Sequence, residues 1–332
     1  MDDKCVSPFP LTNEMMLLVS QITEKVQGMQ EYSHLGSMPK LRHVNRIRSI
    51  HSSLAIEANS LTLEQVEDVI DGRTVMGPQK EIQEVWNAYE AYQKIPEFDP
   101  YSLEDLKKAH GIMTRYLVKE SGAFRSGEEG VFDGGRCLFM APPAAGVPEL
   151  MERLFAGMKE SKGKVHPLIL SSVFHYEFVS IHPFSDGNGR MARLWQTLIL
   201  SKWNKIFPYI PLESRIQDFQ SEYYEVIAQC DGIGNSDLFL TFMLRRIDEI
   251  LEKSKKEMKE SVGFIDPEKK LLSQMRPGIA YRAQELMQKV GLKSLKSFRE
   301  HYRKPALGAG LIEMTIPDKP NSRNQRYRLK EK

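Results

Sequence analysis

Residues 181–195, IHPFSDGNGRMARLW, constrain this chain more than any other stretch. Two glycines bracket an asparagine, and glycine lets a backbone turn sharply or approach a ligand with no Cβ in the way. After Gly189 the apolar residues Met191, Leu194 and Leu198 recur at helical spacing. The segment must therefore turn through Asp186–Gly189 and start a helix there. A helix start carries N–H groups without partners and a partial positive charge, which together suit phosphate. Arg190 and Arg193, three residues apart, share one face of the first turn, and their forked guanidinium groups match phosphate oxygens. An aspartate beside a phosphate makes sense when it holds magnesium, which takes a carboxylate together with phosphate oxygens. His182, just ahead of this cradle, is placed to take a proton from an attacking hydroxyl. The developing charge would be held by the loop N–H groups and the metal. These residues point to nucleotidyl or phosphoryl transfer; the plainer alternative is a capped helix beside a structural histidine.

The surrounding sequence reads as mostly helical up to about residue 250. LTNEMMLLVSQITEKVQGMQ spaces Met15, Leu18, Ile22 and Val26 along one face. KEIQEVWNAYEAYQKI does the same with Ile82, Val85, Trp86, Tyr89 and Tyr92. Thr62 followed by Gln65, and Ser102 followed by Asp105, have the spacing of capped helix starts. Between about 122 and 148 the chain becomes rich in Gly and Pro around a short apolar run, Cys137 to Met140, which predicts a hairpin or flap. Helical patterning returns in PELMERLFAGMKE and PLILSSVFHYEFVSI, and NSDLFLTFMLRRIDEILEKSKKEMKE predicts a long helix leading into the tail.

With 41% hydrophobic and 27% charged residues in 332, the composition is that of an ordinary folded chain long enough for more than one core. No apolar run approaches the ~18 residues of a membrane span. The opening MDDKCVSPFPLTNEMMLLV lacks the basic-then-apolar layout of a secretory signal. Three cysteines, Cys5, Cys137 and Cys230, are far apart, which disfavours a disulfide framework or a zinc site. A cytoplasmic protein is expected.

The run His182 to Arg193 resembles the signature of the Fic family, His-x-Phe-x-(Asp/Glu)-Gly-Asn-Gly-Arg-x-x-Arg, with every specified position filled. The resemblance implies a mainly α fold, a helical bundle with a small β-hairpin flap, and transfer of AMP from ATP to a Ser, Thr or Tyr hydroxyl with release of pyrophosphate. It implies His182 as the base, Asp186 as the Mg2+ ligand, and Gly187, Asn188 and Gly189 as an anion hole. Arg190 and Arg193 would bind the nucleotide phosphates, and a buried Phe184 would hold the loop. The phosphate-transferring branch of the family carries lysine where this chain has Gly189, so AMP transfer is the expectation. SIHSSLAIEANS resembles the family's inhibitory motif, with Ser53 and Glu57 as its residues; Glu57 would pair with Arg193 and deny it to the γ-phosphate. Ala58 stands where that motif has Gly or Asn. The flap at Arg136–Met140 would align a target segment by strand addition, and Tyr224 would contact the nucleotide base.

The tail has a different character. From Pro267 to Lys332 there are 16 Lys/Arg against 6 Asp/Glu, a net charge of +10, while the remainder of the chain nets −8. YRAQELMQKVGLKSLKSFREHYRKPAL predicts helix, turn, helix, and GLIEMTI with QRYRLK predicts two strands around a loop holding Pro317, Pro320 and Asn321. This resembles a winged-helix unit. Lys293, Lys296, Arg299 and Arg303 would lie on or near its second helix and Arg323, Arg326 and Arg328 on its wing, a footprint suited to DNA. The expected organisation is an N-terminal helical region over 1–100 carrying the inhibitory motif, a catalytic core over 101–248, a helical linker over 249–266 and a winged helix over 267–332. The expected activity is a self-inhibited protein adenylyltransferase whose target is another protein or itself. The alternatives are a DNA-binding regulator that senses ATP, and removal of AMP by the same site.

Overall fold

The computed structural model describes residues 11–30, 39–133, 136–263, 267–292, 294–320 and 322–330. Expectations on the opening ten residues with Cys5, on the Cys137 side chain, on Lys293 and on Asn321 lie outside the described residues. The chain forms two compact units, Met1–Lys255 and Lys256–Lys332.

In the first unit α1 (Asn13–Gln30), α2 (Pro39–Ile56), α3 (Leu63–Ile70), α4 (Gln79–Gln93) and α5 (Leu103–Met113) precede a hairpin of β1 (Gly130–Asp133) and β2 (Arg136–Met140). Then come α6 (Val147–Ser161), α7 (Pro167–Ile181), α8 (Asn188–Trp203), α9 (Leu212–Asp218), α10 (Gln220–Ile233) and α11 (Asp237–Gly263), the last running on past the unit boundary. The hairpin pairs Gly130 with Met140 and Val131 with Phe139, then shifts register to Phe132 with Cys137.

α7 and α8 form the centre. Leu168, Phe174 and Phe178 of α7 with Met191, Leu194, Trp195 and Leu198 of α8 are all at 0% exposure, and the polar residues the two helices bury, among them Ser171, His175 and Gln196, are hydrogen-bonded. Around them Ile50 and Leu54 of α2, Val85 and Ala88 of α4, Leu106 and Ala109 of α5, and Met151 and Leu154 of α6 join one continuous core. Helices before residue 100 thus share that core with those after it. α4 turns a different face to the core than its apolar periodicity predicts: Val85, Asn87, Ala88, Ala91 and Tyr92 are buried, while Trp86 is 41% exposed. At 3.6 residues per turn, position 86 has already rotated past the face defined by 85, 88 and 92.

Both helix starts carry side-chain caps. Thr62 Oγ1 accepts from the Gln65 N–H at 3.2 Å, and Gln65 Oε1 accepts from the Thr62 N–H at 2.9 Å. Ser102 Oγ accepts from the Asp105 N–H, but the Asp105 carboxylate accepts from the Asp99 N–H instead of returning to Ser102.

The second unit runs α12 (Pro267–Leu272), α13 (Ala283–Lys289), α14 (Leu295–Phe298), a π-helical turn at Arg299–Arg303, α15 (Lys304–Gly308), then antiparallel β3 (Ile312–Met314) and β4 (Tyr327–Leu329). Leu271, Leu286, Val290, Phe298, Ala306, Ile312 and Tyr327 form its core. Pro305 has no N–H for the carbonyl four residues back, and the widened turn accommodates this, with the Lys304 N–H reaching Arg299 O. The order of elements is compatible with a winged helix. Among the described residues no helix is long and apolar enough to cross a membrane.

Loss of the reciprocal cap in Thr62→Ala should cost about 1 kcal/mol of stability, with Thr62→Ser close to wild type, as read from urea unfolding.

Candidate functional site

α7 stops at Ile181 because His182 takes a left-handed conformation, φ 51° and ψ 58°, and Pro183 follows. A residue before proline is steered away from the helical region, and proline commonly follows a helix end. A histidine in this region costs about 1 kcal/mol, and such strain persists where the surroundings hold it in place. Nδ1 of His182 lies 3.4 Å from the Val179 carbonyl. An N–H there leaves the Nε2 lone pair to accept a proton. Burial lowers the pKa below the ordinary histidine value of 6.5, so the ring is neutral at physiological pH.

α8 then starts without a side-chain cap. Gly187, at φ 83°, occupies the cap position. The N–H groups of Asn188, Gly189 and Arg190 find no acceptor among the described residues, as the first turn of a helix dictates. Asn188 serves the loop in another way. Its side chain is buried and clamps the backbone of Phe184, accepting from its N–H at 2.9 Å and donating to its carbonyl at 2.7 Å. Its share in an anion hole is therefore its backbone N–H alone. Phe184 is at 0% exposure, as the family resemblance implies.

Asp186 Oδ1 accepts from the Gly187 N–H at 2.6 Å and from Arg190 Nη2 at 2.8 Å. Burial opposes ionisation, but the Arg190 guanidinium and the Gly187 N–H outweigh it and hold the carboxyl below the usual carboxylate range. Its second oxygen remains for a cation, and one ionised carboxylate is a donor set that Mg2+ accepts when phosphate oxygens complete it. Arg190 is 3% exposed, with Nε and Nη1 lacking hydrogen-bond partners although Glu84 lies 3.8 Å from Nη1. Orphaned guanidinium donors in a buried cradle fit a phosphate.

Arg193, 2% exposed, is held from α2. Its Nε donates to Ser53 Oγ at 3.0 Å, and its Nη2 donates to the Ser53 carbonyl at 2.9 Å and to Glu57 Oε1 at 2.8 Å. The Glu57 carboxylate stands so close over Gly189 that a Cβ there would overlap it. Gly189 thus lets an anion approach its backbone closely, here one supplied by the protein itself. Ala58 adopts the left-handed conformation, φ 65°, that ends α2 and aims Glu57, and the Asn59 N–H closes the turn on Leu54 O at 3.1 Å. The departure from Gly or Asn at 58 leaves this geometry intact. Tyr224 is 47% exposed and packs edge-on against buried Tyr223, with the Glu57 charge acting on its hydroxyl.

Three residues with no motif signal complete the site. His110 of α5 stacks on Phe184 at 3.6 Å between ring centres, and its ring nitrogens meet the Asp186 carbonyl and the Gly122 N–H, each at 3.0 Å. Burial drops its pKa to about 4, so it is a neutral support. Arg125 reaches the His182 carbonyl at 2.7 Å. Glu84 accepts from Asn59 Nδ2 at 2.8 Å, tying the end of the α2 turn to α4. In sequence each is a single polar residue far from the loop, and only a buried polar residue on an apolar helix face would have flagged His110.

Residues 100–200 match the family model described as Fic/DOC family, and residues 266–330 match that of "Filamentation induced by cAMP protein Fic-like, C-terminal domain". The chain is similar to a crystal structure of a Fic family protein from Desulfovibrio desulfuricans G20, with 42% identity and a TM-score of 0.74 over 98% of both chains. It is also similar to a solved Fic-1 fragment from C. elegans, at 21% identity and a TM-score of 0.59, covering 75% of this chain and 73% of that one, a likeness of fold. Among curated proteins it is 30% identical to protein adenylyltransferase Fic of Nematostella vectensis over 65% of this chain and 51% of that protein. For protein adenylyltransferase fic-1 of Caenorhabditis elegans the identity is 26%, over 70% and 46%. The chain spans about half the length of these curated relatives.

Because alanine bears left-handed strain at 58, Ala58→Gly should raise stability by about 0.5–1 kcal/mol in chemical unfolding. A decrease would mean that the turn in solution is not the one described.

Proposed function

We propose that this chain, which belongs to the Fic family, is a self-inhibited protein adenylyltransferase that moves AMP from ATP to a Ser, Thr or Tyr hydroxyl of a protein. The observation that carries this reading is the Glu57–Arg193 pair over Gly189, an internal anion seated at an uncapped helix start beside a neutral, half-buried histidine.

His182 Nε2 takes the proton of the target hydroxyl as its oxygen attacks the α-phosphorus, and pyrophosphate leaves with the electron pair of the broken P–O bond. The N–H groups of Asn188, Gly189 and Arg190 hold the charge that gathers on the phosphoryl oxygens, and in a dry site such donors act without reorganising. Arg190, short of partners, binds the phosphate chain. Asp186 would hold Mg2+, which when bound neutralises phosphate charge. Arg193 would seat the γ-phosphate once Glu57 withdraws, and Ser53 keeps it aimed through both its hydroxyl and its carbonyl. Tyr224 would line the base end of the nucleotide site. The target is another protein or this chain itself.

Intact mass after incubation with ATP and magnesium tests this directly. Glu57→Gly should gain about 329 Da, one AMP, on itself or on an added target, while wild type and Glu57→Gly/His182→Ala gain nothing. Nucleotide binding without transfer in Glu57→Gly would overturn it. A second check is the pH profile of the released enzyme. A base must be unprotonated, so kcat/KM should fall as pH drops through the His182 pKa, with the acid limb centred below 6.5.

For the second unit we propose duplex DNA as a partner. Lys296, Arg323 and Arg326 are exposed and make no ion pair among the described residues, whereas Arg299 and Arg328 are taken by Glu300 and Glu313. The full-length protein should bind duplex with an affinity that falls steeply with salt, and Arg323→Glu/Arg326→Glu should flatten the log–log slope by about 2. Unchanged binding in the double variant would refute this surface.

A further inference from the structure

Arg125 is 3% exposed and lies in the stretch that leads from α5 into the β1–β2 hairpin. Its guanidinium meets no carboxylate among the described residues. It is surrounded by carbonyls: Nε donates to His182 O at 2.7 Å, Nη1 to Gly127 O at 2.8 Å and Nη2 to Pro142 O. Its backbone N–H donates to Pro183 O at 3.0 Å. A buried charge held only by dipoles is costly, so its place calls for a reason.

The placement supplies one. Gly127 precedes β1 and Pro142 follows β2, so they are the two feet of the hairpin, and the Ala141 N–H to Glu129 O bond at 3.0 Å closes the ladder between them. The remaining acceptors are the carbonyls of the base and its neighbour. We infer that Arg125 is a positioning residue that fastens both feet of the hairpin to the backbone of His182, so that the hairpin and the base keep one fixed spacing. A lysine has one nitrogen and could not span these three carbonyls; the planar fork of arginine can. The transfer reading enters only in the use made of this spacing: a target strand laid along the hairpin edge would bring its hydroxyl to the imidazole at a set distance, and a small misplacement there costs rate.

Arg125 also bears on the imidazole by charge. Burial is the largest influence on the imidazole and opposes its protonation; among the described residues the charges that act on it include Glu129 at the hairpin foot and Glu57 at the end of α2, which favour protonation, and Arg125, which opposes it. Removing Arg125 should therefore raise the His182 pKa, a change that general loss of packing elsewhere would not produce.

The test uses the full chain, comparing wild type, Arg125→Met and Arg125→Lys by amide hydrogen exchange and by NMR titration of the His182 ring. In Arg125→Met, residues 130–140 and residues 183–186 should both exchange about tenfold faster while α7 and α8 keep their protection, and the His182 pKa should rise. Arg125→Lys, which keeps the charge and loses the fork, should loosen both segments with a smaller pKa change; it also serves should the methionine variant fail to fold. Loosening of one segment without the other, or an unmoved pKa in Arg125→Met, would overturn the tie. AMP transfer by Glu57→Gly is measured separately: its absence would sink the transferase reading and leave the tie standing. If Glu57→Gly is active, adding Arg125→Lys should lower kcat and raise KM for the protein target while KM for ATP holds.

Discussion

The start of α8 is the constraint on which the site depends. A buried helix must leave its first N–H groups without helical partners, and most proteins satisfy them with a cap. Here the cap position is Gly187, which has no side chain to offer, and the next two side chains point away from the need: Asn188 turns inward to hold Phe184, and Gly189 has none. The result is a set of oriented donors whose natural partner is an anion. α7, the His110 stack and the Asn188 clamp all work to keep this turn in place.

The protein supplies one such anion itself. Glu57 reaches Arg193 and lies against Gly189 because α2 ends there in a left-handed turn. A buried arginine deprived of a partner is destabilising, whereas one re-paired with phosphate is not. Here the partner is the Glu57 carboxylate, with Arg193 Nη2 2.8 Å from Oε1. Ser53 also holds Arg193, through two bonds that do not depend on Glu57. Asn59 and Glu84 tie the far side of the turn to α4.

The two units differ in charge. The first carries the acidic balance and the deep core; the second carries a +10 net charge over 267–332 and a small core of its own. The basic residues of that tail fall into two groups once the side chains are placed. Some pair with local glutamates and act as surface, while Lys296, Arg323 and Arg326 stand unpaired among the described residues. Composition alone counts them equally.

Much of the helical order, the two capped starts, the hairpin and the functional loop could be read along the sequence, because each rests on neighbours within four residues: a glycine that frees the backbone, a threonine that reaches the N–H three residues on, an apolar stripe at helical spacing. Trp86 shows the limit of that reading, since its neighbours in sequence cannot say which side of α4 meets the core. His110 and Arg125 lie 76 and 57 residues from the backbone carbonyls they hold, and Glu57 lies 136 from Arg193. A carbonyl has no residue identity, so nothing in the sequence marks it as a partner. The sequence by itself determined that a glycine-bounded turn opens a helix at Asp186–Arg190; only the tertiary structure decided that Glu57 faces it, what braces it and which residue joins it to the hairpin, because those interactions exist only after the chain has folded back on itself.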